Sequence, residues 1–159
     1  MKLKKYWGCR MHSHNFDRLL APAVTTVLET MFFSEPLGPS DPDTNTTNLQ
    51  VRVPFSGEVS GALEIRISKS TARSLAASFL GESEESLSES QIAQVVRELA
   101  NMVCGWIVSK PGSQGCFDLG SPELLAPENQ RPMGIPASQQ SFAVENGTLT
   151  VSLYSSVAA

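Results

Sequence analysis

Residues 88–109 read SESQIAQVVRELANMVCGWIVS, and their spacing predicts the helix around which the rest of the chain is arranged. At about 100° per residue, Ile92, Val95, Val96, Leu99, Val103 and Trp106 fall on one stripe, and Gln94, Glu98, Asn101 and Gly105 on the opposite one. Glu98 and Asn101 are one turn apart, so their side chains are neighbours on the helix surface. Gly105 follows about a turn later, in a helix interior where glycine is about 1 kcal/mol less favourable than alanine. An acid and an amide beside a position without a side chain describe a surface that another molecule approaches closely. The bland alternative is a solvated face with a glycine that permits close packing, and spacing alone leaves both readings open.

Either Ser88 with Gln91 or Ser86 with Glu89 forms a capping box at the start of this helix. Upstream, a first helix is predicted over residues 14–33, with Phe16, Leu20, Val24, Val27, Leu28 and Met31 as its apolar face. Pro22 either sits in its first turn or kinks it. Residues 38–48, GPSDPDTNTTN, read as a polar loop. Residues 49–55 and 59–67 alternate as two strands joined around Ser56-Gly57-Glu58, with Val59, Gly61, Leu63, Ile65 and Ile67 on one face. From Ser70 a short helix carries Ala72, Leu75, Ala76 and Phe79, and Gly81 is placed to end it.

Downstream, a short strand is expected around residues 116–119. A hairpin closes the chain, with strands at 141–144 and 149–154 and a turn at Glu145-Asn146-Gly147. The fold class is therefore α+β: two long helices and a short one packed on a largely antiparallel sheet. Residues 14–159 are expected to form one domain behind a basic arm at residues 1–13.

Composition narrows the function classes. With 159 residues, 41% hydrophobic and 18% charged, the chain matches a globular protein rather than a disordered one. A net charge of -4 argues against a nucleic-acid partner, which needs clustered Lys and Arg. No apolar run approaches the roughly 18 residues of a membrane span. The opening MKLKKYWGCRM lacks the apolar core of a secretory signal. Cys9, Cys104 and Cys116 are odd in number and have no C-x-x-C spacing, which fits a reducing cytoplasm and no disulfide framework. His12 and His14 are the only histidines, too few partners for a metal site of this chain's own.

The segment Glu98-Leu99-Ala100-Asn101-Met102-Val103-Cys104-Gly105 carries an E-x-x-N-x-x-x-G pattern. Together with the F-x-G-x-x-x-G run from Phe55 to Gly61, the spacing of Ala72, Ala76, Leu80 and Gly81, and Gly120-Ser121-Pro122, it resembles the CheC/CheX family of chemotaxis phosphatases, in particular the single-site CheX branch. The order and spacing of these pieces carry the resemblance, since E-x-x-N alone is common.

The resemblance implies hydrolysis of the aspartyl phosphate on a CheY-like response-regulator receiver domain. It implies that Asn101 holds the attacking water and that Glu98 pairs with a receiver lysine, with Gln94 and Gly105 in the docking surface. Mg2+ would be held by the receiver, with no cofactor or metal bound by this chain. One departure is Gln94, which stands where the family often has Asp or Ser.

The first helix, TTVLETMFF, faintly parallels QVVRELANM; aligning Glu29 with Glu98 puts Phe32 where Asn101 stands. At most one site per chain is then expected. Two other readings stay open: a receiver-binding module with the same fold and little catalysis, and a structural protein whose polar stripe is merely solvated. Homodimerisation through sheet edges is a further implication of the resemblance. The final strand, lacking Pro and Lys, is a candidate edge.

Overall fold

The computed structural model describes residues 18–42, 48–57, 59–109, 117–131 and 133–156. The basic arm, Cys9, His12, His14, Phe16 and Cys116 lie outside the described residues. Helix α1 (18–31) leads into the two-residue strand β1 (Gly38–Pro39), then the hairpin of β2 (Asn48–Ser56) and β3 (Ser60–Ser68). Helices α2 (Lys69–Leu80) and α3 (Glu89–Val108) follow, then short strands β4 (Asp118–Leu119) and β5 (Glu123–Leu124), and the hairpin of β6 (Ser138–Val144) and β7 (Gly147–Ser156). Among the described residues all pairings are antiparallel, in a seven-stranded sheet of order β1-β6-β7-β3-β2-β4, with β5 also on β2. The α+β class predicted from periodicity is the class observed.

The helix ends follow local chemistry. Ser68 caps α2 by accepting from the Thr71 N–H at 3.2 Å. Gly81 ends it at φ 66°, a left-handed conformation that a residue without Cβ adopts freely. Of the two capping boxes the sequence offers, Ser88 with Gln91 forms. The Gln91 N–H donates to Ser88 Oγ at 3.1 Å, and the Ser88 N–H donates to Gln91 Oε1 at 2.9 Å. Pro22 lies close to the first described turn of α1, and the helix runs through it to residue 31.

Strand alternation separates two chemistries across the sheet. Val51, Val53, Leu63, Ile65, Leu149 and Val151 pack beneath the helices, where they meet Leu28, Ile92, Leu99 and Val103. The opposite face is polar and cross-linked. Buried Glu64 accepts from Gln50 Nε2 at 2.8 Å and from Arg52 Nε at 2.6 Å, while Ser141 and Thr150 share a 2.8 Å bond. Both carboxylate oxygens of Glu64 are thereby satisfied, as a buried charge requires.

Two expectations need correction. β7 is paired on both sides, with β3 and β6, so the final strand is interior and is not an edge. Gly61 keeps the strand face expected for it, opposite Phe55, and meets a further constraint. A methyl group there would collide with the Tyr154 carbonyl oxygen, so it is the close approach of β7 that demands glycine. Met31 was placed on the buried face of α1, yet it is 44% exposed, and Phe32 is fully buried instead. The helix stops at residue 31, Phe33 turns left-handed at φ 52°, and the Ser34 N–H reaches back to the Leu28 carbonyl at 3.0 Å. That turn lets the Phe32 ring stack on Phe79 at 4.9 Å between centroids.

Cys104 lies on the inner side of α3, 1% exposed, and burial pushes its thiol up to about 12. At pH 8 its thiolate fraction is then about one in ten thousand. In a chain with Cys9 and Cys116 replaced by serine, Cys104 is expected to resist iodoacetamide at pH 8 when folded and to react readily in denaturant. Mass spectrometry of the alkylated protein checks this.

Candidate functional site

The outer face of α3 is built by the apolar residues on its inner face. Leu99, Ala100, Val103 and Cys104 are each no more than 1% exposed, and they fix the rotation of the helix about its axis. That rotation leaves Gln94 and Glu98 exposed and Asn101 and Gly105 half-buried. All four residues singled out from the spacing therefore share one surface. Among the described residues, the side chains of Glu98 and Asn101 make no hydrogen bond or ion pair. The pair is thus a carboxylate acceptor beside an amide that carries both donors and an acceptor, held on a rigid element and available to another molecule.

Two neighbours were not foreseen. Arg97 Nη1 reaches Gln94 Oε1 at 3.5 Å, a link at the outer limit of hydrogen bonding. Their i, i+3 separation was a legible signal. Leu119, 37% exposed, stands beside Gly105 because β4 pairs with β2 through Phe55 and Leu119. Nothing in the sequence pointed to that juxtaposition, since it depends on where a two-residue strand joins the sheet.

The glycine at 105 is not required by the chain's own packing. A Cβ there would stand 3.8 Å from Leu119 Cδ1, an ordinary van der Waals contact. Gly105→Ala is therefore expected to stabilise the fold by about 1 kcal/mol through helix propensity, measurable as a higher urea midpoint with an unchanged slope.

The corresponding place on α1 holds no such pair. Glu29 is exposed, but Phe32 is buried against Phe79. Among the described residues, no group of three or more His, Cys, Asp or Glu is arranged to hold a metal ion, and no helix is long and apolar enough to cross a membrane.

The profile of the family described as "Chemotaxis phosphatase CheX" matches residues 49–145, from β2 through α3 to the end of β6. The chain belongs to the CheX family. Its fold is similar to that of CheX in the CheX–CheY–BeF3–Mg2+ complex of Borrelia burgdorferi, at 21% identity and a TM-score of 0.69 over 87% of this chain and 96% of that one. It is also similar to CheX of Vibrio vulnificus, at 20% identity and a TM-score of 0.71, over 89% of this chain and 96% of that one. A CheC-like superfamily protein of Shewanella sp. PV-4 gives 22% identity and a TM-score of 0.69, with 89% and 97% of the two chains covered. No curated protein sequence matches the chain. At these identities the solved structures show the fold alone.

Proposed function

We propose that this chain is a phosphatase that removes the aspartyl phosphate of a CheY-like receiver domain. The observation that carries the proposal is the unengaged Glu98–Asn101 pair on the outer face of α3. Membership in the CheX family and the existence of a CheX–CheY complex from Borrelia burgdorferi support a CheY-like receiver as the partner.

The chemistry asks little of such a protein. An acyl phosphate already carries a good leaving group, and phosphoryl transfer is governed by positioning and electrostatics rather than by covalent catalysis. Asn101 orients the attacking water through its amide, with no need for a tuned pKa. Glu98 pairs with a receiver lysine and anchors the helix. The gap at Gly105 admits the partner's backbone, so Gly105→Ala, although stabilising, weakens docking. Gln94 still offers the hydrogen-bonding oxygen that the family's more usual Asp or Ser would supply.

Mg2+ belongs to the receiver carboxylates in this reading, because Glu98 is the only carboxylate beside Asn101 on α3. The receiver places the chain in the cytoplasm. Pairing of two copies through sheet edges would have to use the β1–β6 side or the β4–β5 side, since β7 is interior.

Phosphate release from a phosphorylated receiver, timed with and without this protein, tests the proposal. Acceleration supports a phosphatase. Tight binding without acceleration would instead identify a receiver-binding module.

A further inference from the structure

We infer that the docking face is graded in chemistry along α3, and that Arg97 at its N-terminal end receives an acidic side chain of the receiver. The inference rests on the receiver-docking reading above and names the partner chemistry that reading leaves open.

Arg97 is the only cation on α3. Its Nε is withdrawn from solvent yet finds no acceptor among the described residues, an arrangement uncommon for a buried donor. Its single described bond is the 3.5 Å link to Gln94 Oε1. The two described ion pairs take Arg52 to Glu64 and Arg73 to Glu89, so no carboxylate of this fold is described as engaging Arg97. On the helix wheel Arg97, Gln94 and Asn101 run along one edge of the outer face.

The contact Arg97 does make is with Gln94, one turn toward the helix N-terminus, and none is described with Asn101, one turn the other way. That direction separates two roles. A cation leaning toward Asn101 would stabilise the phosphoryl group. One leaning toward Gln94 meets a flanking surface of the partner, where a planar fork of donors suits a carboxylate.

The opposite end of the face is apolar, with the gap at Gly105 beside half-exposed Leu119. The order along α3 is therefore cation and amide, then Glu98 with Asn101, then an apolar shoulder. A partner reading it in register presents an acid, then its lysine and phosphoryl site, then an apolar side chain.

The test compares the native chain with Arg97→Glu and Arg97→Lys. Receiver affinity is measured with and without phosphorylation, at low and high salt, alongside kcat and KM for phosphate release. Arg97→Glu is expected to weaken affinity for both receiver forms roughly tenfold, to raise KM by the same factor, and to leave kcat unchanged. The loss shrinks at high salt, and Arg97→Lys restores most of the binding. Acid-to-lysine substitutions across the receiver surface are expected to include one that rescues Arg97→Glu specifically.

Native and Arg97→Glu chains that bind alike would overturn the inference while leaving the phosphatase reading standing. A fall in kcat at constant KM would also overturn it, by placing Arg97 at the phosphoryl group. A native chain that binds no receiver would remove both readings together.

Discussion

Replacing Asn101 by alanine is expected to lower the phosphate release this chain stimulates from a phosphorylated receiver about a hundredfold, the scale on which a preorganised polar group contributes to a transition state. The substitution removes the only amide of the Glu98–Asn101 pair and leaves Glu98 to dock. Receiver affinity should therefore survive while turnover falls. Stability should stay within about 0.5 kcal/mol, because Asn101 forms no described bond whose loss would strand a partner. Glu98→Ala should do the reverse, weakening docking and making the residual activity less sensitive to salt. Single-turnover phosphate release, read beside the urea midpoint of each variant, separates the two effects. Unfolding of the Asn101→Ala chain would contradict the placement of this residue on the outer face.

Phe32→Ala is expected to destabilise the fold by about 3–5 kcal/mol, the range for emptying a buried phenylalanine site. The ring is fully buried and stacks on Phe79 of α2, so its loss uncouples the end of α1 from the helix beside it. Met31 and Phe33, its immediate neighbours, are 44% and 78% exposed, and neither can refill the space without rebuilding the turn. Met31→Ala should accordingly change stability little. Chemical denaturation of the two variants gives the contrast directly.

That contrast marks where the sequence was legible and where it was not. The α3 pattern was strong because eight of its residues are buried along one continuous arc, so the opposite arc, with Gln94, Glu98, Asn101 and Gly105, followed at once. The hairpin strands were equally readable from alternation, and their pairing confirms it: Val51 opposite Ile65 and Val53 opposite Leu63. The end of α1 was not readable. Periodicity continues through Met31, and no residue type announces that Phe33 will adopt a left-handed turn, a conformation for which asparagine or glycine would be expected. β1 and β5 escaped notice because two residues carry no period. The interior position of β7 escaped for a different reason. Strand order is set by which faces must be covered, and the last strand's lack of Pro and Lys fits a central position as well as an unguarded edge. At the candidate site the central pair was visible and its flanks were not, since Leu119 reaches Gly105 only through the tertiary pairing of β4 with β2.

The place of β7 has a consequence for how the molecule assembles. Ser60 lies opposite Ser156, and Gln139 opposite Ser152, so one late segment bridges an early hairpin to its own immediate predecessor. Until β7 has left the ribosome, the β2–β3 hairpin and the β1–β6 pair are separate fragments, each with an open edge toward the gap. The apolar floor that fixes the rotation of α3 is incomplete for just as long, because Leu149 and Val151 are part of it. The outward presentation of Glu98 and Asn101 thus depends on a strand that touches neither, and a nascent chain would acquire this face of α3 only once β7 has paired.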